Sequence, residues 1–127
     1  AVAMAIRTPA VPTWNRDVFV RIERIAATLP PADADLLRGE ANADKQKLEN
    51  AQSQYFNARQ GIHAALRSDT FSVDDMRTAM ARTRAARQSF DQILQGIFAD
   101  AAAKMSHAGR LALADWPPNR KSASKDR

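Results

Sequence analysis

The sequence predicts an all-α protein: a long antiparallel helical hairpin with short flanking helices. Three observations carry this. Two long segments, 31–67 and 72–104, repeat their apolar residues at steps of three and four. A short connector, Ser68-Asp69-Thr70-Phe71, joins them. No run of β-branched residues alternates with period two, so no strand is expected.

Residues 1–13 read as an extended lead or tether, because Pro9 and Pro12 disfavour a helix there. The start, Ala1-Val2-Ala3-Met4-Ala5-Ile6, allows two readings. It is the end of a removed span or signal sequence, with Ala3-Met4-Ala5 in the small-x-small form of a cleavage site, or it is a frayed terminus. Trp14, Val18, Ile22, Ile25 and Leu29 then mark one face of a short amphipathic helix. Thr13 or Asn15 caps it and Pro30-Pro31 ends it. Trp14 is expected to anchor this helix on the hairpin by core packing.

The first long segment begins where proline is tolerated, at Pro31, with Asp33 and Asp35 in the opening turn. Leu37, Ala41, Leu48, Ala51, Tyr55, Ala58, Ile62 and Leu66 form its stripe, and 31–67 is expected to run as one helix. Gly39 and Gly61 each weaken it by about 1 kcal/mol relative to alanine without forcing a break. The second segment opens with Ser72 and Asp75, a capping box with Asp in place of Glu. Its stripe is Val73, Met76, Met80, Thr83, Phe90, Leu94, Ile97 and Ala101, interrupted at Arg87. Each segment would be roughly 50 Å long at about 1.5 Å per residue. Both stripes are narrow and alanine-rich, so the hairpin leaves apolar surface for a further helix or a second copy, and a homodimer is expected. Ser106 caps a final short helix ending near Ala114. Residues 115–127 are proline-led and basic, and read as a disordered tail unless Trp116 docks. The hairpin domain spans 14–114.

A chain of 127 residues with 45% hydrophobic and only 6% aromatic residues suits helix-on-helix packing in one domain. There is no cysteine, which excludes disulfides, thiolate catalysis and cysteine-bound zinc. No stretch reaches the length of a membrane span. The formal net charge of +5 is spread over scattered arginines. Arg120, Lys121, Lys125 and Arg127 lack the spacing of a nucleic-acid reader, so no nucleic-acid partner is expected.

Catalytic parts are scarce. His63 and His107 stand alone on helices, and no phosphate-binding loop, nucleophile elbow or HExxH motif occurs. The chain is not expected to be an enzyme. The candidate metal donors are His63, His107 and the i,i+4 pair Met76 and Met80, whose thioethers suit a soft ion, although that spacing is also ordinary core packing. Nickel, zinc and copper are the ions this set would favour; no resident cofactor is expected. Arg77, Arg84 and Arg87 fall within a few turns of one another and form a basic rim if they line a concave face.

The order of parts resembles the periplasmic heavy-metal sensor and resistance family, the group containing Spy, CpxP and ZraP. The resemblance covers about residues 17–114. Leu29-Pro30-Pro31-Ala32-Asp33 and Met105-Ser106-His107-Ala108-Gly109-Arg110 look like two degenerate copies of its Leu-Thr/Ser-Pro-Glu-x-Arg helix-opening motif. Leu66-Arg67-Ser68-Asp69-Thr70-Phe71-Ser72 is similar to its connecting turn. The resemblance implies a dimeric helical hairpin in the periplasm, in some members tethered to the inner membrane by an N-terminal span. Members sense metals and signal to a membrane-bound partner, or act as chaperones that hold unfolded protein on a basic concave surface. The sensors' histidines are missing here: neither 16–29 nor 95–103 contains one, and His107 stands where the family usually has proline. No metal site is carried over. The expected function is a periplasmic heavy-metal sensor/resistance-like role through protein contacts, with Spy-like chaperoning or a non-standard metal sensor as alternatives.

Overall fold

The computed structural model describes residues 13–118, with side chains from Val18 onward. The expectations for the lead 1–12, for the Trp14 anchor and the Thr13 or Asn15 cap, and for 119–127 lie outside the described residues. The described chain is all-α: α1 (Thr13–Ala26), α2 (Pro31–Ala43), α3 (Lys45–Arg67), α4 (Val73–Lys104) and α5 (His107–Ala114). Among the described residues no strand occurs and no helix is long and apolar enough to cross a membrane. The chain divides into two compact units, one from residues up to Ala43 together with those from Ile97 onward, the other Asp44–Gly96.

In the first unit α1 buries Val18, Ile22 and Ile25 of the stripe expected from the sequence, together with Ala26, and packs on α2. Leu29 is buried in the turn that follows. That turn is tightened by the Thr28 hydroxyl, which donates to the Ile25 carbonyl at 2.7 Å. Pro30 supplies the carbonyl that receives the Ala34 N–H at 2.8 Å, and Pro31 occupies the first helical position, where a missing N–H costs nothing. Leu37 and Ala41 continue the core from α2, and Ile97, Ala101 and Met105 add to it from the end of α4 and the turn that follows. On the surface, Arg38 reaches back to Glu23 with two N–H donors at 2.7 and 3.0 Å. The pairing lowers the Glu23 carboxyl and raises the Arg38 guanidinium relative to their ordinary values.

The tightest feature of this unit joins the two motif copies. Asp33 is only 4% exposed. One carboxylate oxygen accepts the Ser106 N–H at 2.9 Å and the other accepts the Ser106 hydroxyl at 2.6 Å. The same hydroxyl oxygen accepts the Gly109 N–H at 3.0 Å, as the expected cap of α5. The Asp33 carboxyl is held below its usual range, first by the Ser106 hydroxyl, then by the Ser106 N–H, with the Arg110 charge adding to them. Gly109 is required by this approach: a Cβ there would lie 2.3 Å from Asp33 Oδ2 and 2.9 Å from its Cβ. Arg110 closes the turn by donating to the Met105 carbonyl at 2.8 Å.

The second unit is the hairpin of α3 with residues 73–96 of α4. Gly61 faces Ala79 and Tyr55 faces Phe90, so the partner number rises on α4 as it falls on α3, and the arms are antiparallel. The buried residues are few: Leu48, Ala51, Gln52 and Ala79. Ser72 caps α4 through the Asp75 N–H at 3.2 Å, which is half of the expected capping box.

One expectation is corrected. Residues 31–67 are two helices, interrupted at Asp44, whose backbone lies at φ −105° and ψ 17°. The Leu48 N–H still bonds to the Asp44 carbonyl, but the Asp44 side chain makes no capping bond. The physical cause is the pairing of Asn42 and Asp44, two poor helix formers close together, at a point where the stripe offers no apolar residue. Asp115 and Trp116 continue hydrogen bonding to Leu111 and Leu113, and Trp116 is half-buried.

Candidate functional site

The arginine expectation leads to one side of the hairpin. On α3, Tyr55, Arg59, Ile62 and Leu66 recur at helical spacing and share a face. On α4, Val73, Met76, Met80 and Arg87 do the same. The two rows lie on the same side of the unit, because Arg87 sits over the Tyr55 ring, 5.9 Å from its centroid. Arg59 approaches the same ring at 5.8 Å. Tyr55 stacks on Phe90 with centroids 6.3 Å apart and planes 12° from parallel. Arg87 also reaches Asp91 at 3.8 Å. An aromatic ring that draws in two guanidinium groups helps to hold them in place; each such contact is worth about 0.5–1 kcal/mol where exposed.

Toward the connector this side becomes apolar and wet. Leu66 is 59% exposed, Phe71 53%, Val73 50% and Met80 40%. Met80 therefore departs from the core reading of the Met76 and Met80 pair, while Met76 is half-buried. Phe71 is in the connector, where no helix covers it.

Of the three arginines singled out in the sequence, the structure groups two. Arg84 and Arg87 line an open groove with Gln88, Asp91, Gln92 and Gln95, all on α4. Arg77 is exposed and stands outside this groove. The Tyr55–Arg59 part of the cluster went unread in the sequence; the i,i+4 spacing of an aromatic and an arginine was the available signal. His63 is exposed on α3, and His107 is exposed at the start of α5. Among the described residues no three His, Cys, Asp or Glu side chains gather as a ligand set for a metal ion.

A family profile described as heavy-metal resistance matches residues 1–112. The chain belongs to the heavy-metal resistance family. That match takes in both motif copies and both arms of the hairpin, and the all-α structure agrees with it. No curated protein and no solved structure matches the chain. Membership of the heavy-metal resistance family gives a role related to heavy-metal resistance, in a family typically found outside the cytoplasm.

Proposed function

We propose that this heavy-metal resistance protein works in the periplasm by protein contact, holding exposed segments of other polypeptides during metal or envelope stress. The observation that supports this is the side of the hairpin where Leu66, Phe71, Val73 and Met80 stand in water beside Arg59 and Arg87. Apolar surface left uncovered next to fixed positive charge suits weak binding of apolar segments that carry acidic residues. The Gln88, Gln92 and Gln95 amides beside Arg84 and Arg87 add donors and acceptors that pair with any backbone. Such contacts are individually weak and sequence-tolerant, as holding an unfolded client requires. A membrane-bound signalling partner would use the same surface, and an N-terminal tether would keep the protein near it.

The test is suppression of aggregation of a reduced, unfolding client by excess protein, followed by light scattering. Suppression is expected, and the triple variant Arg77→Glu/Arg84→Glu/Arg87→Glu should weaken it while leaving helicity unchanged. No suppression by the wild-type protein at excess would overturn the reading.

A further inference from the structure

The chain has no cysteine, so its readily oxidised sulfur lies in four methionines, Met4, Met76, Met80 and Met105. Met4 lies outside the described residues. The other three differ in access. Met105 belongs to the core of the first unit at 5% exposure, Met76 is half-buried, and Met80 is 40% exposed on the hairpin. Met80 also stands at a join. Toward the connector, Met76 and Val73 continue its face as apolar surface. In the other direction Arg84 and Arg87 follow one and two turns on.

We propose that Met80 is a sulfoxidation site, and that its oxidation by a peroxide loosens the hold of this surface on an apolar client. The second half rests on the client-binding reading above. The thioether lone pair attacks one oxygen of hydrogen peroxide, the O–O bond breaks and an S–O bond forms. Sulfur gives up two electrons and the peroxide takes them. The departing hydroxide takes up the proton of the transferred oxygen and leaves as water. The product is polar, and its oxygen accepts hydrogen bonds. Two donors are in place for it. Arg77 is three residues back along α4 and Arg84 four residues on, the spacings at which helical side chains meet. Both are exposed, and neither holds an ion pair among the described residues. The Thr83 hydroxyl, also three residues away, already donates to the Ala79 carbonyl at 2.9 Å. A guanidinium drawn onto the sulfoxide covers apolar surface with charge and is lost to an acidic client. Methionine sulfoxide reductases, one for each sulfoxide epimer, return the thioether, so the change is reversible.

Trypsin places each methionine on its own peptide, 1–7, 68–77, 78–82 and 105–110. The folded full chain is treated with hydrogen peroxide and the sulfoxide on each peptide is followed by mass spectrometry. Met80 should oxidise about tenfold faster than Met105, and faster than Met76, with the gap closing in denaturant. In light scattering, the oxidised wild type should need roughly threefold more protein for the same suppression of client aggregation, because one of the exposed apolar side chains has become polar. Treatment with both reductases and a thiol should restore it. With Met80→Leu, suppression should be the same before and after peroxide. Circular dichroism checks that oxidation leaves the helices in place. Met80 oxidising no faster than Met105, unchanged suppression by the oxidised wild type, or the same loss in Met80→Leu would each overturn the inference. Suppression absent even before peroxide would instead overturn the client reading and the loosening that depends on it, while the peptide rates still decide whether Met80 is the modified site.

Discussion

The two units solve the burial problem in opposite ways. The first closes on itself. Val18, Ile22, Ile25, Leu29, Leu37, Ile97 and Met105 are all buried, and a carboxylate, a hydroxyl and two backbone N–H groups satisfy one another between Asp33, Ser106 and Gly109. The second buries only two small alanines, Leu48 and Gln52, and leaves several large apolar side chains in water. The difference is one of geometry. Two arms have one seam, and alanine along much of it removes little apolar surface at about 25 cal/mol per Å². Adding helices from both ends of the chain gives the first unit more sides to cover each other. A hairpin that cannot cover itself is suited to contact with something else.

The sharpest test of this contrast pairs one leucine from each unit. Leu37→Ala, at a fully buried position, should cost about 2–5 kcal/mol of stability in chemical denaturation. Gly109→Ala comes next. Its new methyl group collides with the Asp33 carboxylate, and overpacking of this kind costs about 1–3 kcal/mol. Gly39→Ala, where a Cβ meets nothing within 4 Å, should instead stabilise by up to about 1 kcal/mol, and that difference in sign would confirm that the contact is the cause.

Acid probes the same place. The Asp33 carboxyl is lowered from the ordinary value of 3.8, so the unfolded chain binds its proton first. Its contribution to stability is complete above that value and is lost as pH falls through the lower, folded one. Asp33→Asn should be less stable than wild type at neutral pH and should show a shallower loss in thermal melts below about pH 4. An unchanged acid slope would mean that the other carboxylates, Glu23 among them, carry all of it. The smallest effect is expected in the second unit. Leu66→Ala should change stability by no more than about 0.5 kcal/mol, yet reduce suppression of client aggregation. A large stability loss there would show that the hairpin tip is covered after all, and would erase the contrast.

Much of this architecture was legible from residue spacing. The α1 stripe, the stop at Pro30-Pro31, the caps at Ser72 and Ser106 and the antiparallel arms all follow from local rules, and local rules can be read in order along a chain. The interruption at Asp44 was not foreseen, since Asn42 and Asp44 lower helix propensity by small amounts that only sum to a break where no packing opposes them. In the sequence Asp33 only marks the start of a helix, whereas its carboxylate bonds to Ser106, 73 residues away. No periodicity reports a contact of that range. The basic rim was half legible: helical spacing placed Arg84 and Arg87 near each other, but the aromatic ring that organises Arg87 comes from the other arm.

The tie between Asp33 and Ser106 also sets an order of events in folding. The first unit is written in two pieces of sequence with the whole hairpin between them. Its early helices emerge from synthesis long before the segment that completes their polar contacts. The hairpin, built from neighbours in sequence, can form while the chain is still arriving; the closed unit must wait, because loop closure over so long a separation has to precede its reward. Any chain stopped short of Ser106 would keep Asp33 charged and without its partners, and would be the form most exposed to proteases before folding ends.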